Sequence, residues 1–223
     1  TLAGGFNRKV LTSNTYNNNY GNLDNMVVRI YAADGSSAVA TQTTNNVYSD
    51  NISLWHLGRL TSSTVTHARS GKNAISRYSA FAYDATTGIL NRETSEAGNA
   101  QLEVVTSYQL DNFGNRTSST VKGYGMPERI SSQYYDSLGR YVIESRNALN
   151  QVSSRVTQQD VFGNQLRVEN IDGVVSLAGA DHMGRMFVTW VETGAWQKTT
   201  LAMGSGSYCP STKTAFHAMV EGG

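Results

Sequence analysis

Asp111-Asn112-Phe113-Gly114-Asn115 is the phrase whose reading decides the fold. It returns with drift as Asp136-Ser137-Leu138-Gly139-Arg140, Asp160-Val161-Phe162-Gly163-Asn164 and Asp181-His182-Met183-Gly184-Arg185. Upstream, Asn18-Asn19-Tyr20-Gly21-Asn22 is an amide version, Trp55-His56-Leu57-Gly58-Arg59 has lost the acid, and Tyr83-Asp84-Ala85-Thr86-Thr87-Gly88 carries one extra residue. Asp or Asn first and Gly fourth is the composition of a type I turn, in which the side-chain oxygen accepts a nearby backbone N–H and the glycine takes a positive φ. A type I turn closed by a left-handed glycine also joins antiparallel strands as a three-residue hairpin connection. Each copy therefore reads as a hairpin tip, and the chain as one turn-and-strand unit used repeatedly. The residue before glycine is Tyr20, Leu57, Phe113, Leu138, Phe162 or Met183. One large apolar group thus recurs at each tip, and these side chains are expected to stack into a ladder.

Spacing supplies the strands. From Gly88 the glycine-to-glycine intervals are 26, 25, 24 and 21 residues, room for two strands and two turns. A second set of turn signals lies midway: Asp34-Gly35, Ser70-Gly71, Gly98-Asn99, Gly123 to Gly125, Asn147 to Asn150, Asp172-Gly173 and Thr193-Gly194. Between turns, Leu102, Val104, Thr106, Tyr108 and Leu110 alternate with Glu103, Val105, Ser107 and Gln109, and Leu166, Val168 and Asn170 with Arg167, Glu169 and Ile171, close to the period of a half-buried strand. Met26, Val28 and Ile30 repeat the pattern. Thr and Ser runs such as Thr61 to Thr66 and Thr117 to Val121 disfavour helix, and no apolar stripe of period 3.6 appears. The expectation is an all-β antiparallel meander of about fourteen to eighteen strands, with the marked glycines on one edge and the midway turns on the other.

Composition narrows the function classes. With 18 basic and 17 acidic residues the net charge is +1 and no basic cluster appears, so nothing favours a nucleic-acid or anionic-membrane partner. A single cysteine, Cys209, excludes an intrachain disulfide framework. No apolar run approaches the ~18 residues of a spanning helix, and Thr1 to Val10 lack the core of a signal peptide. The chain begins without Met and mid-pattern, and reads as a fragment of a larger, secreted or cell-surface protein. Apolar residues make up 39% and Ser, Thr and Asn abound, which fits a curved wall, wet on both faces, better than a dry sandwich core. Residues 1–203 form the repeat segment in this reading, and 204–223, opening on Gly204-Ser205-Gly206-Ser207-Tyr208-Cys209-Pro210, a loop or boundary tail.

The phrases Tyr135-Asp136-Ser137-Leu138-Gly139-Arg140 and Tyr83-Asp84-Ala85-Thr86-Thr87-Gly88 resemble the YD repeat of the RHS superfamily, from about Tyr16 to about Gly194. That resemblance implies a curved strip of an RHS-type hollow shell, as in bacterial polymorphic toxins, the B and C subunits of insecticidal Tc toxins, and teneurins. It further implies partnership with the remainder of the same shell or a partner shell subunit, around an enclosed toxin cargo. The family's Asp-Pro-rich core with aspartyl self-cleavage has no counterpart, since the only prolines are Pro127 and Pro210 and neither follows Asp. Self-cleavage is accordingly not assigned.

A search for chemistry finds no catalytic, cofactor or metal set. His56, His67, His182 and His217 are scattered without ligand spacing. Gly204-Ser205-Gly206 lacks the following helix of a nucleophile elbow, and Gly71-Lys72 lacks the frame of a phosphate loop. The repeated acids Asp84, Asp111, Asp136, Asp160 and Asp181 would be calcium or sugar ligands in a functional reading. They are better read as turn caps, because Asn18 and Trp55 at the equivalent position carry no charge. Structural turn residues are then Gly21, Gly58, Asp84, Gly88, Asp111, Gly114, Asp136, Gly139, Asp160, Gly163, Asp181 and Gly184. Tyr108, Tyr135, Trp55, Trp190 and Trp196 are stacking platforms for sugar rings or cross-strand packing groups, and packing is favoured. Encapsulation without catalysis is the leading expectation. The alternative is a carbohydrate- or protein-binding YD-repeat adhesin, and an enzyme site in the tail stands third.

Overall fold

Strand formation follows the turn chemistry: where an Asx residue and a glycine reverse the chain, the β-branched and hydroxyl residues between reversals extend and pair. The computed structural model describes residues 9–17, 19–32, 35–192, 194–203 and 210–218, with backbone alone from 195 onward. The described chain is all-β, and the sheet order follows the sequence order from β1 to β16 without a crossover. Sixteen strands fall within the expected range. Backbone contacts divide the chain into two compact units, one of Thr1–Leu110 with Ser119–Arg129, the other of Asp111–Ser118 with Ile130–Gly223.

The first unit holds β1 (Val10–Tyr16), β2 (Leu23–Tyr31), β3 (Ala38–Asn51), β4 (His56–Arg69), β5 (Ile75–Tyr83), β6 (Leu90–Ser95) and β7 (Val104–Leu110). Each pairs antiparallel with the next. Strand β8 (Arg116–Gly123) is divided between the units. The second unit continues with β9 (Arg129–Tyr135), β10 (Val142–Arg146), β11 (Val152–Gln159), β12 (Gln165–Asn170), β13 (Val175–Ala180), β14 (Met186–Val191), β15 (Ala195–Met203) and β16 (Pro210–Ala218). These also pair in order.

Each unit is a single layer. Its strands touch only their sheet neighbours, and among the described residues only Val175 and Thr94 are buried. Stability must therefore come from cross-strand pairs and ladder hydrogen bonds, not from a packed interior. In the first unit uncharged polar pairs carry this role: Asn25 donates to Asn45 at 2.6 Å, Ser63 to Asn46 at 2.8 Å, and the hydroxyls of Thr66 and Ser76 lie 2.8 Å apart. In the second, Glu144 accepts from Arg146 at 2.6 Å and Arg155 at 2.9 Å, and Arg146 lies over the Tyr134 ring.

Three expectations need correction. Leu102 lies in a turn outside β7. Pro210–Ala218, assigned to a loop or tail, forms β16 and pairs with β15 over its whole length, because the β-branched residues after Pro210 extend readily. Gly58 sits inside β4 and not at the tip, which is Ile52 to Trp55. Asn18, Asp34, Thr193, residues 204–209 with Cys209, and the side chains of Trp196 and His217 lie outside the described residues.

Candidate functional site

The feature that repeats most faithfully is the tip, and its geometry builds from one carboxylate or amide. In the Asp160 turn, one carboxylate oxygen accepts the N–H of Phe162 at 2.9 Å and of Asn164 at 2.8 Å, and the Gly163 N–H reaches the Asp160 carbonyl at 3.1 Å. Asp111 and Asp181 repeat the pattern with Phe113 and Asn115, and with Met183 and Arg185. Asp136 departs from it, accepting the N–H groups of Arg140 and Tyr141, four and five residues on. Asp84, in the longer turn, accepts Thr86, Thr87 and the Thr87 hydroxyl. Gly21, Gly58, Gly88, Gly114, Gly139, Gly163 and Gly184 all have positive φ, the region an L residue enters at a cost.

The acids are held ionised by these donors. Partial desolvation pushes Asp111 and Asp160 up, yet the Asn115 and Asn164 donors with the tip N–H groups outweigh it, and both carboxyls lie below the ordinary aspartate value. The Arg140 N–H lowers Asp136, the Arg185 guanidinium lowers Asp181, and the Thr87 N–H lowers Asp84. Glu144 is lowered first by Arg146 and then by Arg155. Among the described residues no group of three His, Cys, Asp or Glu side chains is placed to hold a metal ion.

The residue after glycine alternates in the second unit. Asn115 and Asn164 each donate to their own acid and onward to the next tip, at the carbonyls of Gly139 (2.7 Å) and Gly184 (2.8 Å). Arg140 and Arg185 instead pair back with Asp136 and Asp181. The Tyr141 hydroxyl supplies the missing link by donating to the Phe162 carbonyl at 3.1 Å. Side chains also cover the glycines. A Cβ on Gly139 would meet the Phe113 ring, on Gly163 the Tyr141 ring, and on Gly184 the Phe162 ring. In the first unit Arg59 covers Gly88, and the Asn22 amide lies against Gly58. The expected stack of the residues before glycine is not what the structure shows: of these, Phe113 and Phe162 lie on the glycine of the next tip, the other covered glycines lie against Asn22, Arg59 and Tyr141, and Phe113 remains 67% exposed.

Several participants escaped the sequence reading. Gly58 has an acid after all: Asp50, across the hairpin, accepts its N–H at 2.7 Å. The cap of the first turn is Asn17, which accepts Tyr20 N–H at 3.0 Å. Asn17 to Asn22 closes like Asp84 to Ile89, with four residues between the bonded ends. On the opposite edge Asn147 accepts Leu149 and Gln151, and Asn170 accepts Asp172 and Val174. These repeat the tip phrase, with Asn150 at φ 61 in place of glycine. Of the aromatics, Tyr108 bonds Glu93, Tyr135 bonds the Arg116 carbonyl, and Trp190 sits opposite Leu177. Trp55 differs, 78% exposed at φ 56. His182 lies at a tip, whereas His56 and His67 lie in β4.

No family model and no curated protein matches the chain. Among solved structures it is similar to the Photorhabdus luminescens Tc holotoxin pore carrying a TccC3 mutation, at 13% identity and a TM-score of 0.43, over 97% of this chain and 14% of that one. It is also similar to TcdB2-TccC3-TEV, at 13% identity and a TM-score of 0.39, over 82% of this chain and 11% of that one. A third is TcdB2-TccC3-Cdc42, at 15% identity and a TM-score of 0.38, over 92% of this chain and 13% of that one. The chain spans at most 14% of the length of these three.

Proposed function

We propose that this chain is a wall segment of an RHS-type toxin shell, secreted or at the cell surface as part of a larger protein, that contributes no catalytic group of its own. Its partners are the rest of the shell, or a partner shell subunit, and the toxic cargo enclosed. The observation that carries this reading is that each unit is a single layer and that, in the second, successive tips are bonded to one another. Such a strip can be lengthened hairpin by hairpin without ever forming a core, which suits a wall. The test is to express the parent protein with and without residues 9–203 and follow cargo digestion by added protease. Faster digestion in the deletion is expected; equal protection overturns the wall reading.

Trp55 favours a second reading. A tryptophan 78% exposed at a tip that also carries Ile52 and Leu54 is placed to stack on a sugar ring. Tight glycan binding by the purified chain, lost in Trp55→Ala, would make it an adhesin module.

A further inference from the structure

The hairpin of β3 and β4 projects beyond the strands beside it. Both of its strands run 14 residues, against 9 in β2 and 9 in β5. The rungs Tyr48–Leu60, Ser49–Arg59 and Asn51–His56 pair the two strands with each other alone. At the end of the projection Ile52, Leu54 and Trp55 are 70%, 48% and 78% exposed, a knob of large apolar side chains held in water at a cost. Trp55 also has φ of 56°, a left-handed backbone that Gly21 and Gly88 take in the neighbouring tips and that a bulky L residue enters only under strain. A side chain held against its own backbone preference points to a contact made outside the turn.

The chemistry of the knob selects its partner. Between Asp50 and Arg59 the sequence has no Asp, Glu, Lys or Arg. The Asp50 carboxylate is turned to the Gly58 N–H, and the Arg59 guanidinium lies over the Tyr83 ring, 5.4 Å from its centre. Polar groups of the turn are engaged within it: Asn51 accepts the Ser53 hydroxyl at 2.7 Å and the Leu54 N–H at 3.2 Å, and the Ile52 carbonyl accepts the Trp55 N–H at 3.2 Å. Backbone that leaves bulk water must have its polar groups paired internally, and this turn meets that demand at Leu54, Trp55 and Gly58. A sugar asks for the opposite, donors and acceptors directed outward beside the ring. A protein partner asks for about 800 Å² on each side, more than a four-residue tip presents.

We propose that residues 52–55 are a lipid-interface anchor: the tip enters a bilayer at headgroup depth, with the Trp55 ring at the boundary and Ile52 and Leu54 buried beside it. The lipid is neutral, because the tip brings no Lys or Arg to an anionic surface. Attachment is reversible, and no part of the hairpin crosses the membrane. The anchor stands apart from the shell reading, so its test and the protease-protection experiment fail separately.

Flotation of the purified chain with phosphatidylcholine vesicles tests it, read as the bound fraction over a lipid series. Wild type should float, and neither added salt nor anionic lipid should change the bound fraction. Trp55→Gly should weaken binding about tenfold or more while melting at or above the wild-type temperature, since glycine relieves the left-handed backbone. Ile52→Ser serves in the same way where Trp55→Gly lacks the wild-type circular dichroism spectrum. Val161→Ser, at a tip residue 87% exposed, is the control and should bind as wild type does. A wild type that does not float, binding that requires anionic lipid or is abolished by salt, a folded Trp55→Gly that floats as wild type does, or an equal loss in Val161→Ser, each overturns the proposal. Capture of a glycan through Trp55 in place of vesicles also overturns it, in favour of the adhesin reading.

Discussion

The side-chain amide of Asn164 holds the Asp160 carboxylate and the Gly184 carbonyl together, each at 2.8 Å. One residue thereby closes its own turn and fastens it to the next, 20 residues downstream. Asn164→Ala removes both bonds and should lower stability by about 1–2 kcal/mol. Thermal or urea unfolding measures this, and a variant that melts with wild type would show the bridge to be idle.

Gly163 and Gly173 have similar backbones, with φ of 87° and 75°, but different surroundings. Alanine at Gly173 meets open space and should cost only the left-handed penalty, about 1 kcal/mol. At Gly163 it also meets the Tyr141 ring, which should bring the loss to about 2–4 kcal/mol. Adding Tyr141→Ala should recover some of that loss. Equal melting temperatures for the two single variants would contradict the covered-glycine geometry.

Capping and metal ligation separate cleanly at Asp111, Asp136 and Asp160. As caps, they tolerate Asn better than Ala, because the amide oxygen still accepts the tip N–H groups. A chelator should leave the melting temperature unchanged. A drop on chelation that calcium restores would reassign the acids as ligands.

Acid should loosen the tips. Asp84, Asp111, Asp136, Asp160 and Asp181 all lie below their ordinary value, so the folded state binds protons less readily than the unfolded chain. Their contribution is complete above the unfolded aspartate value of about 3.9 and is lost as pH falls through the lower folded values. The melting temperature should hold from neutral pH to about pH 5 and fall below about pH 4. Replacing Asp111 and Asp160 together with Asn should flatten that fall; an unchanged slope would locate the acid sensitivity elsewhere.

The strands and the two rows of turns were legible because turn chemistry is local: Asx, two residues and glycine fix a reversal without help from the rest of the chain. What escaped was non-local or ambiguous in length. Asp50 serves Gly58 from the facing strand, so the copy beginning at Trp55 only looked acid-free. Asn17 and Asn18 both fit the phrase, and the backbone closure from the Asn17 N–H to the Asn22 carbonyl, with four residues between, selects Asn17. Tyr141 follows its glycine where Phe113 and Phe162 precede theirs, and only the register of neighbouring tips shows that all three cover the next glycine. On the opposite edge Asn170 carried the phrase through its glycine and Asn147 carried it with Asn150 in place of glycine, and both were readable in principle. The last strand was hidden by a Gly-Ser stretch ahead of it that has the composition of a loop.

Strict neighbour-to-neighbour pairing has a mechanical consequence. A sheet whose every strand is held only by the strands before and after it in the chain is loaded, when its ends are pulled, across its hydrogen bonds in single file. Rungs then separate in succession like a zip, at low force and in steps of a single hairpin. A folding chain can likewise extend from any formed hairpin without waiting for distant contacts. Resistance to force in such a strip comes from whatever grips its two margins, and the rows of tips are where that grip is built.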